Sequence, residues 1–188
     1  MSAAAPPHAV VWVNGAIQDL GTLGPKYDAS VALGINRHDQ VVGWSGTRSG
    51  FEQAFVWRGG VMSPLATPAG LRSVATAING NGQVAGGVFG GGRVRPAVWS
   101  GGALTILPTL GLGGAALAMD RFGTVVGWVK PRAGGLHAAM WRQRRLIDLG
   151  EVRDSPTTAS AISNRSEVAG HARVGRRSEA IVFFASGT

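Results

Sequence analysis

The sequence predicts an all-β fold: a β-propeller-like array of about four repeats of four antiparallel strands. Three observations carry this. The stretch VATAINGNGQVAG at 74–86 returns as VALGINRHDQVVG from Val31, AALAMDRFGTVVG from Ala115 and TASAISNRSEVAG from Thr158, with starts 43, 41 and 43 residues apart. Each copy holds four short runs rich in Val, Ile and aromatics, bounded by Gly, Asn, Asp or Pro, which are strand signals. Nothing sustains a helical period, and four short strands in roughly 42 residues is the length of a propeller blade, whose apolar face is buried by stacking on a neighbour.

Taken in order, segment A runs up to Ile35-Asn36, Ile78-Asn79, Met119-Asp120 and Ile162-Ser163. Its small residues (Gly34, Ala75, Ala77, Ala116, Ala118) suit strands that crowd together. Segment B is a β-branched run reaching a glycine, as at Val41–Trp44, Val84–Gly87, Val125–Trp128 and Val168–His171. Between A and B, Asn79-Gly80-Asn81-Gly82 and its equivalents read as a hairpin turn. Segment C ends in an aromatic: AVVW (9–12), AFVW (54–57), PAVW (96–99), AAMW (138–141) and AIVF (180–183). Segment D follows as AIQDL, VMSPL, ALTIL and RLIDL, after Asn14-Gly15, Gly59-Gly60, Gly101-Gly102 and the poorer turn pair Gln143-Arg144. B-to-C and D-to-A are read as the longer connections.

The whole chain, 1–188, is thus one repeat domain with units at about 31–73, 74–114, 115–157 and 158–188, preceded by a partial C–D unit at 8–30. The count favours a four-bladed ring in which the first D strand joins the last A–B–C sheet. The alternative is an open arc whose exposed edges would allow self-association.

Composition narrows the function classes. At 188 residues with 45% hydrophobic and 15% charged content the chain is globular, and 30 glycines with nine prolines fit many short turns. With no cysteine, disulfides, zinc ribbons and thiol catalysis are excluded. The N-terminal MSAAAPPHAVVW lacks the basic and apolar regions of a signal peptide. The uncharged stretch 96–119 is interrupted by Pro108 and five glycines and spans three strand segments, so no transmembrane segment is expected.

Segments A to D together resemble the bacterial HAF repeat, whose pattern runs A-x-A-I-N-x-x-G-x-V-V-G, then H-A-F-x-W, then D-L-G-x-L-G-G. The matching stretches are VATAINGNGQVAG, His137-Ala138-Ala139-Met140-Trp141, Gln53-Ala54-Phe55-Val56-Trp57 and Asp19-Leu20-Gly21-Thr22-Leu23-Gly24. The His position holds Gln53, Arg95 and Glu179 in three copies, and the Asp is lost at Pro64 and Ile106. The resemblance implies an extracellular or cell-envelope, propeller-like repeat protein.

No catalytic constellation emerges. The four histidines (8, 38, 137 and 171) fall in different segments, and the sequence brings no two carboxylates together. The glycine-rich LGLGGAALA lacks the following helix of a dinucleotide loop. Asn36, Asn79 and Asp120 are expected to cap their turns rather than hold a cation, and no metal or cofactor is expected. Trp12, Trp57, Trp99 and Trp141 are expected in the core between blades, while Trp44 and Trp128 are placed at the mouth of the B–C loop as candidate ligand contacts.

Charge gives the sharper signal. The formal charge is +8, from sixteen Arg, two Lys and ten acids. The B–C connections carry Arg48, Arg93, Arg95, Lys130, Arg132, Arg173, Arg176 and Arg177 against Glu52 and Glu179, while Lys26, Arg72 and Arg153 cancel Asp28, Glu151 and Asp154 in the D–A connectors. A basic rim of Arg93, Arg95, Lys130, Arg132, Arg173, Arg176 and Arg177 suits an anionic polysaccharide, nucleic acid or acidic protein. The sequence therefore points to a non-enzymatic binding or scaffold module. The alternatives are a glycan-active hydrolase or lyase on the same face, and a structural array with no ligand of its own.

Overall fold

The computed structural model describes residues 6–24 and 29–183, and every regular element in it is a strand. Lys26, Asp28 and the last five positions of the fourth unit lie outside the described residues. An N-terminal hairpin pairs β1 (Val10–Val13) with β2 (Ala16–Asp19). The first full sheet is β3 (Ser30–Ile35), β4 (Val41–Gly46), β5 (Glu52–Arg58) and β6 (Val61–Pro64). The second is β7 (Arg72–Ile78), β8 (Val84–Gly90), β9 (Arg93–Ser100) and β10 (Ala103–Ile106). The third is β11 (Gly111–Met119), β12 (Val125–Pro131), β13 (His137–Arg142) and β14 (Arg145–Gly150), and the fourth is β15 (Thr157–Ile162), β16 (Val168–Val174) and β17 (Arg177–Phe183). All pairings are antiparallel and up-and-down, as the repeat predicts. Among the described residues β2 pairs with β1 alone. Among these residues the strand exchange that would close a four-bladed ring is not made, and the described array is an open arc.

Each sheet buries its apolar face against the one before it. Val84, Val88, Ala97 and Trp99 of the second sheet pack on Val42, Ala54 and Val56 of the first. Trp141, Val125 and Val129 pack likewise on Ala85 and Val98, and Trp57 and Phe55 pack on Ala9 and Leu20 of the hairpin. Phe183 takes the tryptophan's place at the last seam. Trp99 and Trp141 also donate their indole N–H to carbonyls of the preceding unit, Ala66 at 2.6 Å and Pro108 at 2.8 Å. Three of the four segment-C tryptophans are therefore core, as expected. Trp12 is not: it remains 67% exposed, because no sheet among the described residues precedes the hairpin.

One backbone device recurs in all four copies. The A strand skips a residue in its pairing with B, between Ala32 and Gly34, Ala75 and Ala77, Ala116 and Ala118, and Ala159 and Ala161. Such a bulge bends the strand. Beside it, an A-strand carbonyl closes on the B-strand glycine. A Cβ on Gly43, Gly86, Gly127 or Gly170 would lie 1.8, 2.0, 1.9 or 2.0 Å from the oxygen of Val31, Val74, Ala115 or Thr158. This steric demand explains the glycine that ends each V-x-G.

The A–B turn is locked by its first side chain. Asn36 Oδ1 accepts from the amides of His38 and Gln40, and Asn79 Oδ1 from those of Asn81 and Gln83. Asp120 Oδ1 and Ser163 Oγ do the same for residues 122 and 124, and 165 and 167. The turn role expected for these residues holds. The asparagines add a link between units: Asn36 Nδ2 donates to the Asn79 carbonyl at 2.9 Å, and Asn79 Nδ2 to that of Asp120 at 3.3 Å. Asp120 has no amide to pass the link on, and its Oδ2 is buried without a partner among the described residues.

The connections differ from expectation in one respect. Strands B and C run longer than the sequence signals, so B joins C through two residues at Gly91-Gly92 and Gly175-Arg176. Gln143 and Arg144 adopt the same left-handed backbone, φ 50° and 66°, as Gly59-Gly60 and Gly101-Gly102, so the sheet imposes the turn on a poor pair.

Two stability changes follow. Gly86→Ala must displace backbone and is expected to destabilise the fold by about 3 kcal/mol. Asp120→Asn supplies the missing amide and is expected to stabilise by about 1 kcal/mol. Urea denaturation midpoints at neutral pH read both.

Candidate functional site

The rim where B strands end and C strands begin carries the predicted cations, but mainly on strands rather than loops. Arg93 and Arg95 stand on β9, Lys130 near the end of β12, Arg173 on β16 and Arg177 at the start of β17; Arg132 and Arg176 occupy the turns. All seven are exposed, and among the described residues none forms an ion pair with a carboxylate. The cations are therefore open to an external partner.

The third and fourth sheets bring two of the seven together. Lys130, Arg173 and His171 line a cleft of about 390 Å³ with Gly135, Leu136 and Pro156. Lys130 comes from β12 and the other two side chains from β16, so the cleft straddles the seam. Alternate residues of a strand share a face. Trp128 and Lys130 therefore follow Val126 on the side of β12 that packs on the fourth sheet. Trp128 and Trp44 lie inside β12 and β4 and are half-buried. Neither sits at a loop mouth, which corrects their expected position. The B strands extend past the glycine before turning, and this carries both indoles into the sheet.

The cleft wall is held by a histidine. His137 Nδ1 lies 2.9 Å from Asp148 Oδ2, and its Nε2 is 3.6 Å from Glu151 Oε1. Glu151 Oε1 in turn accepts the Gly135 amide at 2.7 Å. The connection 132–136 is thereby fastened to the edge strand β14. The N-terminal hairpin repeats the device, with His8 Nδ1 2.7 Å from Asp19 Oδ2. His8 and His137 thus occupy the same repeat position, contrary to the expectation that all four histidines fall in different segments. A sequence signal existed: where Gln53 and Arg95 replace His, Pro64 and Ile106 replace the Asp eleven residues on. Donor and acceptor are kept or lost together.

A second fastening was equally hidden. Ser30, Ser73 and Thr157 are buried, and their hydroxyls accept the amides of Ala9, Ala54 and Ala138 from the N-terminal hairpin or the preceding sheet, at 2.9, 2.9 and 2.8 Å. In the remaining copy the amide position is Pro96 and the hydroxyl position Gly114. Proline has no N–H to give, and the acceptor is absent with it.

No family model matches the chain, and no curated protein matches it. Among solved structures, TolB from Acinetobacter baumannii superposes with a TM-score of 0.62 at 12% identity, covering 89% of this chain and 43% of that one. An arginine-to-alanine triple mutant of AofleA from Arthrobotrys oligospora gives a TM-score of 0.49 at 14% identity, covering 93% of this chain and 60% of that one. The chain spans less than half the length of the TolB structure. The first likeness, with the sheet order above, defines the class of fold: a β-propeller-like array of antiparallel sheets.

The hairpin pair gives a pH test. Asp19 accepts the Gly21 amide at 2.8 Å and faces His8, and these contacts hold its carboxyl below the ordinary value of 3.8. A lowered folded pKa contributes stability above the unfolded value, which is lost as pH falls through the folded one. Asp19→Asn removes that contribution. The difference in denaturation midpoint between wild type and variant is therefore expected to shrink between about pH 5 and about pH 2.

Proposed function

We propose that the chain is a non-enzymatic binding module that holds an anionic polymer through the basic rim, centred on the cleft of Lys130, His171 and Arg173. The observation that carries this is the convergence of those three side chains from two sheets on one concavity, with none of them ion-paired among the described residues. Lysine and arginine side chains left without acids keep their full attraction for phosphate, sulfate or carboxylate groups. Arg132, Arg176 and Arg177 flank the cleft along the chain, and Arg93 and Arg95 extend the rim to the second sheet. Such a spread suits a partner with repeated charges, and we take an acidic polysaccharide as the leading case, with nucleic acid and acidic protein as alternatives. The HAF-repeat membership and the extracellular or cell-envelope setting that the sequence pattern suggests belong to the same proposal.

One observation favours a second reading, a glycan-active enzyme: Asp148 and Glu151 flank His137 next to the cleft. The same His–Asp pair recurs at His8 and Asp19 in the N-terminal hairpin. That recurrence supports a fastening, and so favours binding.

The test is titration with polygalacturonate and with duplex DNA at several salt concentrations. Lys130→Ala with Arg173→Ala is expected to weaken polyanion binding by about tenfold or more and to flatten its salt dependence. Unchanged affinity at low salt in this double variant would sink the proposal. Cleavage of the polymer by wild type, lost in His137→Ala, would favour the enzyme reading instead.

A further inference from the structure

The opposite rim holds a second concavity, lined by A–B turn residues of all four copies, among them Arg37, Gly80, Asn81, Arg121, Phe122 and Asn164. Its volume is about 550 Å³, within the range of small-molecule sites. We propose that this concavity binds an acidic sugar, a uronate, with its carboxylate on Arg37 and Arg121 and its hydroxyls on the Asn81 and Asn164 carboxamides. The inference does not rest on the basic-rim proposal, since the two sites share no residue.

The residue after each turn-capping side chain is Arg37, Gly80, Arg121 and Asn164 in successive copies. The capping position is nearly constant because the turn needs it, but this next position is free to vary. The fold then gathers all four variable positions around one hollow. The side chains there are also held. A Cβ on Gly80 would sit 3.1 Å from Arg37 Nε, so glycine at this copy leaves room for the Arg37 side chain to lie against the turn. The Arg121 guanidinium stacks 4.4 Å above the Phe122 ring, an arrangement that restrains it. Asn164 Oδ1 accepts the Arg121 amide at 3.1 Å, and Asn81 Nδ2 donates to the Arg121 carbonyl at 3.4 Å. The backbone around the hollow is therefore tied across three units before any ligand arrives.

Charge selects the ligand class. Among the described residues neither arginine forms an ion pair, and Glu167, an acid of these turns, accepts from the Ser163 hydroxyl at 2.9 Å. Two guanidinium forks match the planar geometry of a carboxylate. The Asn164 amide donor makes no hydrogen bond among the described residues, and a carboxamide suits the donor–acceptor character of a sugar hydroxyl. Phe122 is 65% exposed at the mouth, an apolar surface beside the polar groups.

The experiment is a titration of the full chain with glucuronate, glucose and inorganic phosphate, followed by amide NMR shifts. Glucuronate is expected to bind with millimolar affinity, shifting the amides of residues 36–40, 80–82 and 121–123, whereas glucose and phosphate bind at least about tenfold more weakly. Arg37→Ala and Arg121→Ala should each cost about tenfold. Arg37→Lys and Arg121→Lys, which keep charge and fold but lose the fork, should cost severalfold with unchanged thermal melting. Lys130→Ala with Arg173→Ala should leave this affinity unchanged, which separates the site from the basic rim. Equal binding of phosphate or glucose, unshifted turn amides, or affinity retained in the Arg37→Ala/Arg121→Ala double variant would overturn the proposal.

Discussion

Each sheet of this protein has an apolar face that only another sheet can cover, and the rest of the structure follows from satisfying that need repeatedly. The seam is built the same way each time: an aromatic from strand C, small residues from strand A, and valines from strand B meet the previous sheet. The A strands approach closely, so that a Cβ on Gly34 would stand 3.3 Å from the Ala77 Cα. The bulge and the B-strand glycine let the strand bend where the sheets crowd. Stability in such an array is close to a sum of nearest-neighbour terms, with each seam independent of all but its two sheets.

Much of this was legible in the sequence because it is written several times. Turn pairs, β-branched runs and the aromatic at the end of strand C each announce themselves locally. What escaped was pairwise. The bond from Ala54 to Ser73 spans 19 residues and looks like nothing in either residue alone; it becomes visible only beside Pro96 and Gly114, where both partners are missing. His8 with Asp19, and His137 with Asp148, were hidden for the same reason, since each position taken singly varies freely. Trp44 and Trp128 were misplaced because the strand continues past the glycine that marks its visible end. Ring closure was beyond reach, as it depends on pairing between strands more than 150 residues apart in sequence.

The basic cleft was half legible. The charge pattern named Lys130 and Arg173 as members of a rim but could not say that they meet, nor that His171 joins them. The opposite concavity is hidden in the sequence for a different reason: its capping residues are fully explained by turn chemistry, and only the fold gathers the variable residues beside them around one hollow. In a repeat protein the constant positions hold the backbone and the adjacent variable positions are free to take up chemistry.

The seam between the third and fourth sheets differs from its neighbours in ways that bear on one another. Phe183 stands there in place of tryptophan, without an indole N–H to give, and Asp120 breaks the chain of amide links with a buried, unpartnered oxygen. The cleft of Lys130 and Arg173 opens across this same joint. Any ligand gripped from both sides would add a tie across a joint that lacks these two links. Binding and docking of the fourth sheet are then thermodynamically coupled: whatever strengthens the joint pre-organises the cleft, and whatever fills the cleft braces the joint, by the same free energy in either direction.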